Sequence, residues 1–171
     1  MQPGAGFLIS TFREILTRVM IFKDILKKPT MTMQSGPIKL IFDKIIDVKP
    51  GGELVPFYHF KMATENDGVV GHINFKIGET NHIIQCVGHI GYEVLPKHRG
   101  NSYAFYACNA LRPFIKTFYS KVILTSDPSN QFSIGVIEKL GAKFINTIKV
   151  PEQDPSYKGG SRIKNRYEWA P

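Results

Sequence analysis

Between Ile38 and Leu95 the chain repeats one pattern: a short apolar, β-branched or aromatic run, then a cluster of turn residues. Ile38–Val48 closes at Pro50-Gly51-Gly52, Val55–Ala63 at Asn66-Asp67-Gly68, and Val69–Ile77 at Gly78–Asn81. Runs joined by turns this short pair antiparallel, and Asp-Gly between two of them is a strong hairpin signal. His82–Leu95 (HIIQCVGHIGYEVL) reads as a long strand, or as a strand pair broken at Gly88. Four leading strands therefore predict an antiparallel meander.

The pattern then changes. Ser102–Tyr119 reads as a helix containing Pro113, Lys121–Thr125 as a short buried strand, and Gln131–Leu140 as a helix capped by Gly141. Lys143–Val150 and Arg162–Trp169 read as two last strands around a Pro/Gly/Ser-rich loop. Strand–helix alternation of this kind needs at least one parallel crossover. The expected fold is α/β: a mixed, mostly antiparallel sheet of about seven strands with one splayed parallel pair, and helices on both faces. The order is not that of a Rossmann fold. At 171 residues the chain suits one domain with a short extension, large enough to need neither disulfide nor metal.

The extension is residues 1–33 and the domain residues 34–171. Leu8, Phe12, Ile15, Leu16, Val19, Phe22 and Leu26 fall at helical spacing, and Pro29 stops the run. Five charged residues interrupt Phe7–Leu26, so it lacks the ~20 apolar residues that cross a bilayer. The stripe calls for a partner surface: its own domain, a second copy in a homodimer, or a membrane face. Cys86 and Cys108 make no disulfide framework, and a reduced, cytoplasmic setting is expected. The net charge of +8 attracts anions. Its basic residues are scattered, which disfavours nucleic acid as partner. His82, Cys86 and His89 do not share one strand face, and no metal site is expected.

Gly91–Ala104 (GYEVLPKHRGNSYA) carries the chemistry. A strand ends at Pro96, a polar loop follows, and Ser102 opens a helix. Unpaired N–H groups and the dipole at a helix N-terminus favour a negative ligand. Gly100, Asn101 and Ser102 are small enough for a phosphate to approach the backbone, and Arg99 adds a fixed charge suited to a diphosphate.

Arg99-Gly100-Asn101-Ser102-Tyr103-Ala104 resembles the acyl-CoA-binding motif of the GNAT superfamily of N-acetyltransferases, Arg/Gln-x-x-Gly-x-Gly/Ala after a strand. Ser102 occupies the middle glycine. Asn130-x-x-Ser133-x-x-x-Ile137-Glu138-Lys139-Leu140-Gly141-Ala142 is similar to the family's second motif, with Ile137 in place of its usual Tyr. The resemblance covers residues 37–170. It implies acetyl-CoA as co-substrate and an amine as acceptor, with direct attack of the amine on the thioester. The pantetheine arm would pair with Tyr92–Val94, the diphosphate would sit on Arg99–Ala104, and Asn130 and Ser133 would lie along the arm. For proton transfer the candidates are Glu93, His89 and Tyr92, with His72 beside them. The family's helices between its first two strands are missing here, since Val48 to Val55 leaves room only for a turn. That implies an open acceptor site, or one completed by the N-terminal helix or a second subunit.

Overall fold

The computed structural model describes residues 26–48 and 52–171. Most of the expected N-terminal helix lies outside them; its last two residues, Leu26 and Lys27, are irregular.

The first five strands form one antiparallel sheet in sequence order: β1 (Gln34–Ser35), β2 (Ile38–Ile46), β3 (Phe57–Thr64), β4 (Gly68–Lys76) and β5 (Ile90–Val94). Alternation gives this sheet two characters. Tyr58, Phe60, Met62, Ile73 and Phe75 are fully buried on the inner face. His59, Lys61, His72 and Asn74 occupy the alternate positions on the outer face. The β3–β4 hairpin turns at the expected Asn66-Asp67-Gly68, where Gly68 has a φ of 67° and Asp67 N–H donates to Thr64 Oγ1 at 3.0 Å.

Helix α1 (Tyr103–Ile115) covers the inner face with Ala107, Ala110, Leu111, Phe114 and Ile115. Phe114 stands edge-on to Tyr58, with ring centroids 4.9 Å apart. Each such buried Leu, Ile or Phe contributes roughly 1.5–3 kcal/mol. Pro113 is accommodated within the last turn of the helix.

β6 (Val122–Ser126), β7 (Lys143–Lys149) and β8 (Ile163–Trp169) form a second antiparallel sheet in the order β6-β8-β7. Helix α2 (Gln131–Lys139) joins β6 to β7, and the short α3 (Pro155–Lys158) lies in the β7–β8 loop. The eight strands thus form two sheets rather than one of about seven, and no parallel ladder occurs among the described residues. The cause lies at the junction. His89 N–H donates to the Ile123 carbonyl at 2.8 Å, but the Ile123 N–H goes to the His89 side chain, on Nδ1, at 3.0 Å. A bond that could extend a β5–β6 ladder is spent on a ring. Gly88 lets the chain pass close by: its φ is 65°, and a Cβ there would meet the Ile123 carbonyl oxygen at 2.9 Å.

His82–Leu95 also departs from expectation. Its first half, His82–Val87, is a π-helical turn rather than a strand. His82 is pinned through Nδ1 to Asp154 Oδ2 at 2.9 Å, both side chains being buried.

Candidate active site

β5 ends at Val94, and a 3₁₀ turn, Pro96–His98, leads through Arg99–Ser102 into α1. Gly100 and Ser102 both have left-handed backbones, with φ of 87° and 57°. Among the described residues Ser102 is the only non-glycine so placed, at a cost of ~1 kcal/mol or more. Ser102 is the N-cap of α1, yet its side chain caps nothing, and no acidic residue lies in the first turn. The helix therefore presents open N–H groups and an uncompensated positive dipole end. Arg99 Nε donates to the Val94 carbonyl at 3.1 Å and Asn101 Nδ2 to the His98 carbonyl at 3.0 Å, bracing the loop against the strand end.

Facing β5 is α2. Asn130 caps it, Oδ1 accepting the Ser133 N–H at 3.1 Å, and Ser133 Oγ lies 3.0 Å from Tyr92 Oη. Burial pushes the Tyr92 phenol up to about 12, so it stays protonated and spans the cleft as a hydrogen-bonding group. The cleft between β5, the loop and α2 has a volume of about 950 Å³. Ile137, 3% exposed, belongs to its apolar floor.

Tyr92, Glu93, Val94, Arg99, Gly100, Ser102, Tyr103, Ala104, Asn130 and Ser133 line this one cleft. Asn101 is not among the lining residues and is held by the His98 carbonyl. His89 is not among the lining residues: it is 3% exposed, clasps Ile123, and burial lowers its affinity for a proton. His72 lies on β4 opposite Glu93, its Nε2 3.8 Å from Glu93 Oε2. Glu93 and His72 share the outer face of the first sheet; His89 belongs to the junction.

The structure adds two residues. His98 is 8% exposed, lines the cleft, and its Nε2 has no hydrogen-bond partner among the described residues. Its signal in the sequence is only its place inside Pro96–Ser102. Phe132 stands 92% exposed at the cleft lip beside Ser133. An apolar residue flanking a helix cap gives no such signal.

The loop fits an anionic ligand such as a CoA diphosphate on three counts. The helix N-terminus is open, a Cβ at Gly100 would meet nothing within 4 Å, and a buried imidazole nitrogen lacks a partner. Fold and cleft together define an α/β domain with an anion-ready wedge between two antiparallel sheets. The chain belongs to the acetyltransferase (GNAT) domain family, whose model matches residues 32–143.

Solved structures share the fold. An acetyltransferase of the GNAT family from Bacillus anthracis is 24% identical, with a TM-score of 0.52, over 66% of this chain and 65% of that one. A ribosomal L7/L12 alpha-N-protein acetyltransferase, RimL, in complex with coenzyme A is 17% identical, with a TM-score of 0.53, over 67% and 62%. The microcin C7 self-immunity acetyltransferase MccE, in complex with acetyl-CoA and AMP, is 14% identical, with a TM-score of 0.52, over 67% and 61%. The matches thus span less than two thirds of these proteins' lengths. No curated protein matches the chain.

Proposed function

We propose that the chain is an acetyl-CoA-dependent N-acetyltransferase acting on a primary amine, and that residues 34–171 are its catalytic domain. The observation that carries this reading is the uncapped start of α1 behind Arg99–Ser102, set at the end of β5 and across from the Asn130–Ser133 cap. Acetyl-CoA, when bound, supplies an activated thioester. The free edge of β5 at Tyr92–Val94 offers backbone groups for an extended arm. A backbone N–H near Val94 is suited to a developing oxyanion. Arg99 and the first turn of α1 hold the diphosphate, and His98 Nε2 adds a donor or acceptor beneath the loop. Glu93, on the outer face of β5, takes a proton from the acceptor ammonium and so frees the lone pair that attacks the thioester.

The thiolate has no tyrosine at position 137 to protonate it, and the Tyr92 phenol is engaged with Ser133. Those two facts favour a second reading, an acyl-CoA-binding module without turnover. The setting proposed is cytoplasmic. Among the described residues no helix is long and apolar enough to cross a membrane. The acceptor, free amine or protein amine, is left to a panel.

Two measurements separate the readings. Acetyl-CoA should raise the melting temperature, because a ligand at ~100 times its dissociation constant adds ~2.7 kcal/mol. Free CoA thiol released in the presence of an amine panel reports turnover. A shift without thiol release selects the binding module, and no shift rejects both.

A further inference from the structure

The outer face of the first sheet carries a row of titratable side chains that runs from Glu93 across four strands. Lys61, His72 and Glu93 are register partners on β3, β4 and β5. His72 Nε2 is 3.8 Å from Glu93 Oε2. The His72 ring lies 5.2 Å, centroid to centroid, from the His59 ring on β3. His59 is held from both sides: Nδ1 is 2.6 Å from Asn74 Oδ1, and Nε2 is 3.9 Å from Asp43 Oδ2 on β2. Lys61 is drawn away from His72 by Asp43, Nζ to Oδ1 at 3.0 Å, and that contact holds the Asp43 carboxyl below its ordinary range. Lys76 lies farther along β4, with its Nζ close over Gly91.

Three of these groups already have partners. His59 faces Asn74 and Asp43, and Asp43 faces Lys61. His72 is the imidazole whose ring nitrogen is turned to the cleft carboxylate. A neutral imidazole at that distance leaves the carboxylate as an acceptor; an imidazolium there competes for it as an ion pair. Histidine is also the side chain whose charge changes in the physiological range.

We propose that His72 is a positioning residue that sets the state of Glu93, with His59 setting His72 in turn. This rests on the acetyltransferase reading of the cleft. With His72 neutral, a Glu93 oxygen takes an N–H proton from the acceptor ammonium, leaving the amine its lone pair and Glu93 a carboxylic acid. With His72 protonated, its N–H engages the carboxylate and that transfer is suppressed. An imidazolium on His59 disfavours a second one on His72, whose ring lies beside it.

The test has one arm that needs no turnover. The His72 imidazole is assigned by its loss in His72→Asn and titrated by NMR in the full chain. Glu93→Gln should lower its midpoint by about half a pH unit, the size of a partly exposed ion pair. His59→Asn should raise it. In the kinetic arm, kcat/KM of His72→Asn is divided by that of the parent at each pH, so titration of the amine cancels. The ratio should rise about threefold from pH 8 to pH 5.5, reflecting the same coupling. A His72 midpoint indifferent to Glu93→Gln overturns the proposal, as does a ratio that is flat with pH. If acetyl-CoA binds but no amine is acetylated, the acetyltransferase reading fails instead, and the NMR arm still decides the coupling.

Discussion

Ser102 bears a backbone strain that its side chain does nothing to relieve. Its φ of 57° is glycine territory, and its hydroxyl caps no helix N–H. Ser102→Gly should therefore stabilise the protein by roughly 1 kcal/mol, read as a higher urea midpoint at constant slope, with acetyl-CoA binding retained. Arg99 should behave in the opposite way. It is exposed and anchored by one bond to the Val94 carbonyl, so Arg99→Glu should leave the fold intact. An anion beside the diphosphate should remove most of the acetyl-CoA-induced rise in melting temperature. An undiminished rise in that variant would reject the loop as the anion site. The placement of these residues between a strand and a helix is legible in the sequence, because small residues and a proline mark the turn locally. The role of His89 is not. Strand alternation treats it as a side chain of β5, whereas its ring replaces a backbone acceptor for Ile123.

Among the elements, the strands of the first sheet were the most legible, because hydrophobic alternation and Asp-Gly chemistry act over a few residues. The π-helical turn His82–Val87 was not, since what bends it is a contact 72 residues away in sequence. Burial alone would raise the Asp154 carboxyl, but hydrogen bonds from His82 and Ser156 outweigh it and lower it. A carboxyl lowered by folding stabilises the native state above its unfolded value, near pH 4. That stabilisation is lost as pH falls through the lower folded value. Asp127, also lowered on balance, by Lys164 and Ser161 against burial, acts in the same sense. Thermal stability should thus fall on acidification below about pH 4. His82→Ala should cost roughly 1–3 kcal/mol at neutral pH, because it removes one hydrogen-bond partner from a buried carboxylate that Ser156 still holds. The variant should also show a shallower acid limb in thermal melts. A variant as acid-sensitive as the parent would mean that the pair does not govern this junction.

Across the whole molecule, the division between residues 1–33 and the rest is best judged by what crosses it. Leu26 packs on the main core, Lys27 offers its carbonyl to Tyr58 Oη at 3.2 Å, and Lys28 Nζ lies 5.9 Å from the centre of the Phe42 ring. The Lys27 and Lys28 contacts fall on β3 and β2. None touches the cleft, whose lining runs from Val87 to Lys164. Met33, by contrast, is 3% exposed, and its carbonyl accepts the Leu40 N–H at 2.9 Å, so the domain needs it. A chain beginning at Met33 should therefore fold and keep its acetyl-CoA-induced rise in melting temperature. It should be less stable than the full chain by the partial Leu26 burial and the lost Tyr58 bond, roughly 1–2 kcal/mol. The cations of the cleft, Arg99, Lys139 and Lys164, remain in the shorter chain. Both chains should accordingly lose acetyl-CoA affinity in parallel as salt is raised, because the attraction for a polyanion is screened. Light scattering on the two chains reports whether the apolar stripe from Leu8 to Leu26 holds copies together. If the chain beginning at Met33 melts cooperatively but no longer responds to acetyl-CoA, the first 32 residues belong to the binding site, and the boundary between extension and domain is misplaced.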